Sequence, residues 1–258
     1  MAVDASAAAT ALVETWQHVA SSVPGGWTRA NGAGLAGVTG VAVPTLNGVW
    51  VDKVDPDIEE VSELLDQVLA TGLPHCLQFR SGASFRLADL AVGRGMAHLE
   101  DIPLMVLEDA GQLDAAKTVK GLAIRELTPV EAPLHARIAA QGFEVPPEMF
   151  LQLMTPQVLA TPGLRCYVGE ADGQPVSTGL GVTLGSRVGI FNIATLRSHR
   201  RRGYGAAVTA RAVADGLAGE ARWSWLQSSE DGYAVYERLG FRTVEKWPCW
   251  ISGETPVA

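Results

Sequence analysis

At 258 residues the chain has room for two domains, and a hydrophobic content of 47% supplies material for a buried core. A net charge of −8 argues against general nucleic-acid binding, which needs a broad basic face, and no apolar run approaches the ~18 residues of a membrane span. Cys76, Cys166 and Cys249 are too few and too scattered for a disulfide framework or a metal cage, and the five histidines show no ligand spacing, so no metal is expected.

The chain opens on MAVDASAAATALVETW, which lacks a basic leader and is interrupted by Glu14. A signal peptide is therefore not expected, and a reduced, cytoplasmic protein is. The N-terminal half then reads as a strand Gly48–Val54, an acidic turn Asp55-Pro56-Asp57 and a helix Ile58–Ala70. A strand His75–Phe79, a helix Ser84–Val92, the glycines of Gly-Arg-Gly and a strand His98–Glu108 follow. The small, polar segment Asp109–Gly121 (DAGQLDAAKTVKG) reads as a linker.

Past the linker come a strand Leu122–Glu126 and helical stretches Pro129–Gln141 and from Pro146 to about Leu153. Strands Arg165–Ala171 and Pro175–Leu184 flank Asp172-Gly173, a hairpin signal, and a third strand runs Val188–Leu196. A basic glycine turn, Arg197 to Gly205, leads into the apolar helical run Ala206–Leu217. The chain ends on a strand Trp223–Gln227, a helix Gly232–Leu239 and two strands, Phe241–Glu245 and Pro248–Ser252. Helices and strands mixed around one sheet make an α+β (α/β mixed-sheet) fold. The spacing of Trp223 and Trp225, and of Trp247 and Trp250, is read as placing each pair on one sheet face in the core, with Trp247 or Trp250 as alternative walls of a substrate pocket. Trp16, Trp27 and Trp50 are core candidates in the first half.

Strand, basic glycine turn and helix together suit a phosphate. Glycines let the backbone approach an oxyanion, the first free N–H groups of the helix point at it, and the helix dipole favours its charge. Arginines beside it add charge-assisted hydrogen bonds. The run His199-Arg200-Arg201-Arg202-Gly203-Tyr204-Gly205 thus marks a site for a phosphorylated ligand. The order of elements in the first half repeats the closing part of the second and suggests a diverged duplication. Its acidic turn would repel a phosphate, so only the second half is expected to bind the anion.

Arg200, Gly203 and Gly205, followed by Ala206, match the Gln/Arg-x-x-Gly-x-Gly/Ala pattern between a strand and a helix. Tyr236, Gly240 and Phe241 match a Tyr-x-x-x-Gly-Phe pattern at the expected distance downstream. On these motifs the segment from Leu122 to about Ser252 resembles the GCN5-related N-acetyltransferases, the GNAT superfamily. The resemblance implies a tandem protein with a degenerate GNAT-like domain (1–110), a linker (111–121) and a catalytic GNAT domain (122–258). It implies acetyl-CoA, or another acyl-CoA, wedged between the strands Val188–Leu196 and Trp223–Gln227. Backbone at Ile193, Ala194 and Thr195 would meet the pantetheine arm, and the N–H groups of Arg201, Arg202, Gly203, Tyr204, Gly205 and Ala206 the pyrophosphate. Arg200 would shape the loop, with Arg201, Arg202 or Arg211 reaching the phosphates from the side. The family often carries a proline where this chain has Arg197, and an asparagine where it has Ser229, whose hydroxyl can still bond pantetheine.

The same resemblance makes Tyr236 a general acid toward the departing thiolate, with Tyr233 as its alternate. No base stands out. Glu144, in the loop where the family walls its acceptor site, is the first candidate for catalysis and substrate binding, with Glu230, Asp231 and His199 behind it. Asn192 is a substrate-contact candidate. The implied reaction is acetyl transfer to a primary amine of a small molecule or peptide by direct attack in a ternary complex. A site between the domains is the expected place for the acceptor, and a homodimer is allowed but not required. A non-catalytic acyl-CoA sensor, or an arginine patch docking an acidic partner, are the alternatives.

Overall fold

The computed structural model describes residues 2–83, 85–113 and 118–252. Ser84, residues 114–117 of the expected linker and residues 253–258 of the expected second domain lie outside them. The chain divides into two compact units. One contains Asp4–Leu104 together with the last strand from Thr243 onward, and the other is built on Met105–Arg242. Among the described residues no helix is long and apolar enough to cross a membrane.

The first unit begins with α1 (Ala5–Ser22), an alanine-rich run of high helix propensity. Asp4 caps it by accepting the Ala7 N–H at 2.8 Å. Strands β1 (Trp27–Ala30), β2 (Leu35–Val38) and β3 (Asn47–Val51) form an antiparallel meander. After β3, α2 (Ile58–Leu69) returns the chain to β4 (Cys76–Phe79), which pairs parallel to β3. Val61, Leu64, Leu65 and Val68 recur at helical spacing on α2 and bury it against Val49, Val51, Leu77 and Phe79. α3 (Phe85–Gly93) and β5 (Ala97–Leu107) follow.

Within this unit the last strand, β11 (Arg242–Ile251), lies antiparallel to β4, with Cys249 opposite Gln78. Two strands were expected here, divided before Pro248, but a single one runs through the proline. In a continuous strand Trp247 and Trp250, three residues apart, point to opposite faces, which corrects the reading of them as a same-face pair. Trp247 is fully buried and Trp250 only partly. Trp50 is also fully buried and stacks on Trp16 at a centroid distance of 4.7 Å. Arg80, at the end of β4, donates from Nε to Glu245 Oε2 at 2.9 Å and from Nη1 to Ser6 Oγ at 3.0 Å.

In the second unit, a short 3-10 turn over Ala110–Leu113 opens the segment read as a linker, and its Leu113 is buried against Met105 and Leu107. An antiparallel series follows: β6 (Leu122–Glu126), β7 (Leu164–Ala171), β8 (Gln174–Leu184) and β9 (Arg187–Thr195). β10 (Trp223–Gln227) lies parallel to β9, with the end of β5 as its other neighbour. Between β6 and β7 stand α4 (Ala132–Phe143), α5 (Pro147–Leu153) and α6 (Pro156–Leu159). α7 (Tyr204–Leu217) joins β9 to β10, and α8 (Glu230–Arg238) follows β10.

Alternation along β8 sends successive side chains to opposite faces. Gly181 meets Ala212 of α7, whereas Thr178 meets His135 of α4. α7 is apolar on its sheet side, burying Val208, Ala212 and Val213 with Val188, Ile190 and Leu226.

His135 is fully buried, and burial holds its pKa down to about 4. Its imidazole is therefore neutral in the folded protein near pH 7, while in the unfolded chain it titrates near 6.5. Because the folded pKa is depressed, stability falls as pH drops through 6.5 toward 4. The expected loss between pH 8 and pH 5 is about 2 kcal/mol from this group. Melting curves across that range should show a smaller decline in His135→Gln than in the wild type.

Candidate active site

The site begins with a bulge. Between Thr178 and Leu180 the β8–β9 register shifts, so that Asn192 and Ile193 together oppose Gly179. Asn192 takes a φ of 51°, the left-handed conformation that asparagine tolerates better than most residues. Opposite it, a Cβ at Gly179 would stand 2.3 Å from Ile193 Cδ1 and 2.8 Å from Val208 Cγ1, so a larger residue would displace those side chains. A bulge bends its strand, and β9 turns from β10 just before this point. Parallel pairing runs only from Trp223 opposite Arg187 to Trp225 opposite Gly189. Beyond it the two strands open.

Ala194 and Leu196 address β8. The Ala194 carbonyl accepts from Ser177 Oγ at 2.8 Å, and the Leu196 N–H donates to the Val176 carbonyl at 2.9 Å. Backbone alternation then turns the amide groups of Ile193 and Thr195 toward the opening. A strand edge that offers N–H and C=O groups accepts an extended ligand as an added strand would, here through the Ile193 amide and the Thr195 N–H, the Thr195 carbonyl being taken by Arg200.

At the end of β9, Arg197–His199 form a 3-10 turn, and the next residues build the anion cradle. Arg201 has φ 63° and Gly203 φ 81°, both left-handed. Such turns aim consecutive N–H groups into one concavity. Helix geometry leaves the N–H groups from Gly203 to Ala206 without an intrahelical partner, the Ala207 N–H being the first to bond back, to the Gly203 carbonyl at 3.0 Å. Arg200 is pinned: Nη2 donates to the Gly142 carbonyl at 2.6 Å and Nε to the Thr195 carbonyl at 3.4 Å. It thereby fastens the turn to the last residues of α4. His199 stacks on Tyr204, and its Nδ1 lies 2.9 Å from Ser198 Oγ.

On the far side, Ser229 caps α8 by accepting the Gly232 N–H at 3.3 Å. Tyr236 stands two turns into α8 with its ring edge-on to Phe241 at 6.0 Å. Burial pushes its phenol up to about 12, so it stays neutral at physiological pH.

Strand opening, turn and α8 enclose a cleft of about 820 Å³, within the range of small-molecule sites. Ile193, Ala194, Thr195, Arg200, Arg201, Gly203, Tyr204, Gly205, Ala206, Ser229 and Tyr236 all line it. His199 and Asp231 line it as well, whereas Arg202, Asn192, Glu144, Arg211, Tyr233 and Glu230 do not. Arg202 is exposed beside it, Asn192 shapes the bulge, and Glu144 ion-pairs with Arg197 and Arg200. Arg211, expected near the phosphates, instead binds Asp215 at 2.8 Å and covers the Tyr167 ring, beside a separate small pocket. Sequence reasoning missed the α4 wall, Gly142 and Phe143, and the stripe Gly232, Val235 and Leu239 on α8. The stripe was readable as helical spacing around Tyr236. The α4 wall depends on tertiary packing.

The first unit also has a parallel strand pair followed by a helix start. β3 and β4 stay paired from Gly48–Cys76 to Val51–Phe79. At the following helix start, Asp57 caps α2 by accepting the N–H groups of Glu59 and Glu60, whose own carboxylates lie in the first turn.

These features belong to a recognised class. Residues 162–243 match the family model of the acetyltransferase (GNAT) domain, so this segment is a GNAT domain, and the family uses acyl-CoA as co-substrate. The chain as a whole has the fold of solved GNAT proteins. It is similar to a GCN5-related N-acetyltransferase from Kribbella flavida, at 21% identity and a TM-score of 0.70 over 100% of this chain and 97% of that one. A GCN5-related N-acetyltransferase from Sphaerobacter thermophilus aligns at 16% identity and a TM-score of 0.62, covering 88% and 78% of the two chains. A tandem GNAT protein from the clavulanic acid biosynthesis pathway aligns at 16% identity and a TM-score of 0.57, covering 90% and 83%. No curated protein matches the sequence.

Proposed function

We propose that the chain is an N-acetyltransferase that moves an acetyl group from acetyl-CoA to a primary amine of a small molecule or peptide, by direct attack in a ternary complex. The observation that carries this reading is the opening of β9 from β10 onto one cleft that has the anion cradle at one end and Tyr236 on its wall.

The residues fit such a ligand. Gly205 is the clearest sign: a Cβ there would meet Ile193 Cγ2 and Thr195 Oγ1 only at an ordinary 3.5 Å, so packing alone does not demand glycine. Its bare Cα keeps the space between helix start and strand edge clear. The N–H groups from Arg201 to Ala206 would hold the pyrophosphate, with the side chains of Arg200 and Arg201 lining the same cleft. Ile193 and Thr195 would bond the pantetheine arm, and the Ser229 hydroxyl, whose oxygen already accepts from Gly232, keeps its proton free to donate.

Acetyl-CoA supplies an activated thioester carbonyl. Backbone N–H groups near Ile193–Thr195 polarise its oxygen as the amine attacks. Tyr236 donates to the sulfur. With its phenol near 12 and a reference thiol near 8.5, full transfer to a free thiolate is uphill, so Tyr236 stabilises the departing sulfur as a hydrogen-bond donor while the C–S bond breaks. The proton that the attacking nitrogen loses balances the one the thiol gains. The first unit, with its strands closed and its helix start acidic, supports a degenerate GNAT-like domain that binds no acyl-CoA.

The test is an amine panel incubated with acetyl-CoA and the full chain, following thiol release and acetylated product together. Release that depends on the amine supports the proposal. Acetyl-CoA binding without transfer to any amine favours a sensor instead.

A further inference from the structure

The turn that builds the cradle already pairs two of its arginines with a carboxylate of the chain's own. Glu144 ends α4 with φ 58°, a left-handed position where glycine or asparagine is usual and another side chain is strained. From there its Oε1 lies 3.3 Å from Arg200 Nη2, and its Oε2 lies 3.4 Å from Arg197 Nη1. Both arginines belong to the turn between β9 and α7. The same Arg200 bonds the Gly142 carbonyl, so carboxylate and guanidinium tie the α4 wall of the cleft to the phosphate end. The ion pairs are exposed: the Arg197 side chain is 80% accessible, and those of Arg200 and Glu144 are 42% and 43%. Pairs this exposed hold weakly and yield to a stronger anion.

We infer that Glu144 is an internal competitor of the ligand's phosphates, occupying Arg197 and Arg200 in the free protein and surrendering them when phosphate arrives. The exchange releases Glu144 from the turn, while Arg200 keeps its bond to the Gly142 carbonyl. This role rests on the acyl-CoA reading of the cleft. It makes Glu144 a positioning residue acting through two arginines rather than the acceptor of the amine's proton.

Glu144→Gln removes the charge yet keeps an amide oxygen that can accept from Arg200. Calorimetric titration of the full chain and of this variant uses two probes, acetyl-CoA and S-acetylpantetheine, which lacks the phosphates. One fewer negative charge beside a partly solvated anion site should tighten acetyl-CoA binding by about three- to tenfold, with S-acetylpantetheine unchanged. Unchanged or weaker acetyl-CoA binding, or an equal gain for both ligands, overturns the inference. Arg197→Gln provides a second reading should Glu144→Gln fail to fold. It should weaken acetyl-CoA alone, and no effect counts against the competition. A folded wild type that binds no acetyl-CoA overturns the acyl-CoA reading itself, whereas wild-type binding that Glu144→Gln leaves untouched overturns this inference alone.

Discussion

Gly205→Glu should abolish acetyl-CoA binding without unfolding the protein. The two halves of that expectation come from different physics. Gly205 is the second residue of α7, with room for a Cβ, and a carboxylate in a helix's first turn stabilises the helix. The melting temperature should therefore hold or rise slightly. The same carboxylate would compete for the N–H groups meant for the pyrophosphate and repel it. Losing two charge-assisted hydrogen bonds amounts to roughly 3–6 kcal/mol, a loss in affinity of at least about 100-fold. Gly203→Glu is the less informative companion, because φ 81° at Gly203 strains any side chain and mixes a folding defect with a binding one. Calorimetry and melting curves on Gly205→Glu separate the two effects. Binding within tenfold of the wild type would remove the cradle from the account.

Tyr236→Phe should show the opposite pattern, intact binding and slow turnover. The ring and its contact with Phe241 survive the change; only the phenolic proton is lost. A positioned proton donor contributes about 10²- to 10⁴-fold, so kcat should fall within that range while the acetyl-CoA dissociation constant moves little. The pH dependence carries a further sign. Tyr236 acts in its protonated form, which persists below a pKa of about 12 and is lost only as pH rises through that value. Activity up to about pH 10 should therefore show no alkaline decline from this group. An unchanged kcat in Tyr236→Phe would leave the tyrosine a packing residue and shift proton delivery to solvent.

What could be read in the sequence was what local chemistry dictates. The glycine turn was legible because positive φ, helix-start N–H groups and adjacent arginines are all properties of a few consecutive residues. The Tyr236–Phe241 pattern was legible for the same reason. Asn192 was visible only as a residue near the thioester, because its left-handed backbone arises from register against β8, which no local pattern announces. β1 and β2 lie in a stretch rich in glycine and alanine whose weak strand propensity hides a meander made by pairing. β11 passes through Pro248 where propensity argued for a break. Glu144 was singled out as a base because it carries a carboxylate in the right loop. Its engagement with Arg197 and Arg200 depends on α4 and the β9–α7 turn meeting in space.

The central claim is that the cleft between β9 and β10 is an acyl-CoA site. It is tested most directly by titrating the wild-type chain in a calorimeter with acetyl-CoA and, separately, with inorganic pyrophosphate alone. The account predicts one site per chain with micromolar affinity, and far weaker binding of pyrophosphate, which reaches the cradle but not the strand edge. A folded protein that takes up neither acetyl-CoA nor longer acyl-CoAs would contradict it.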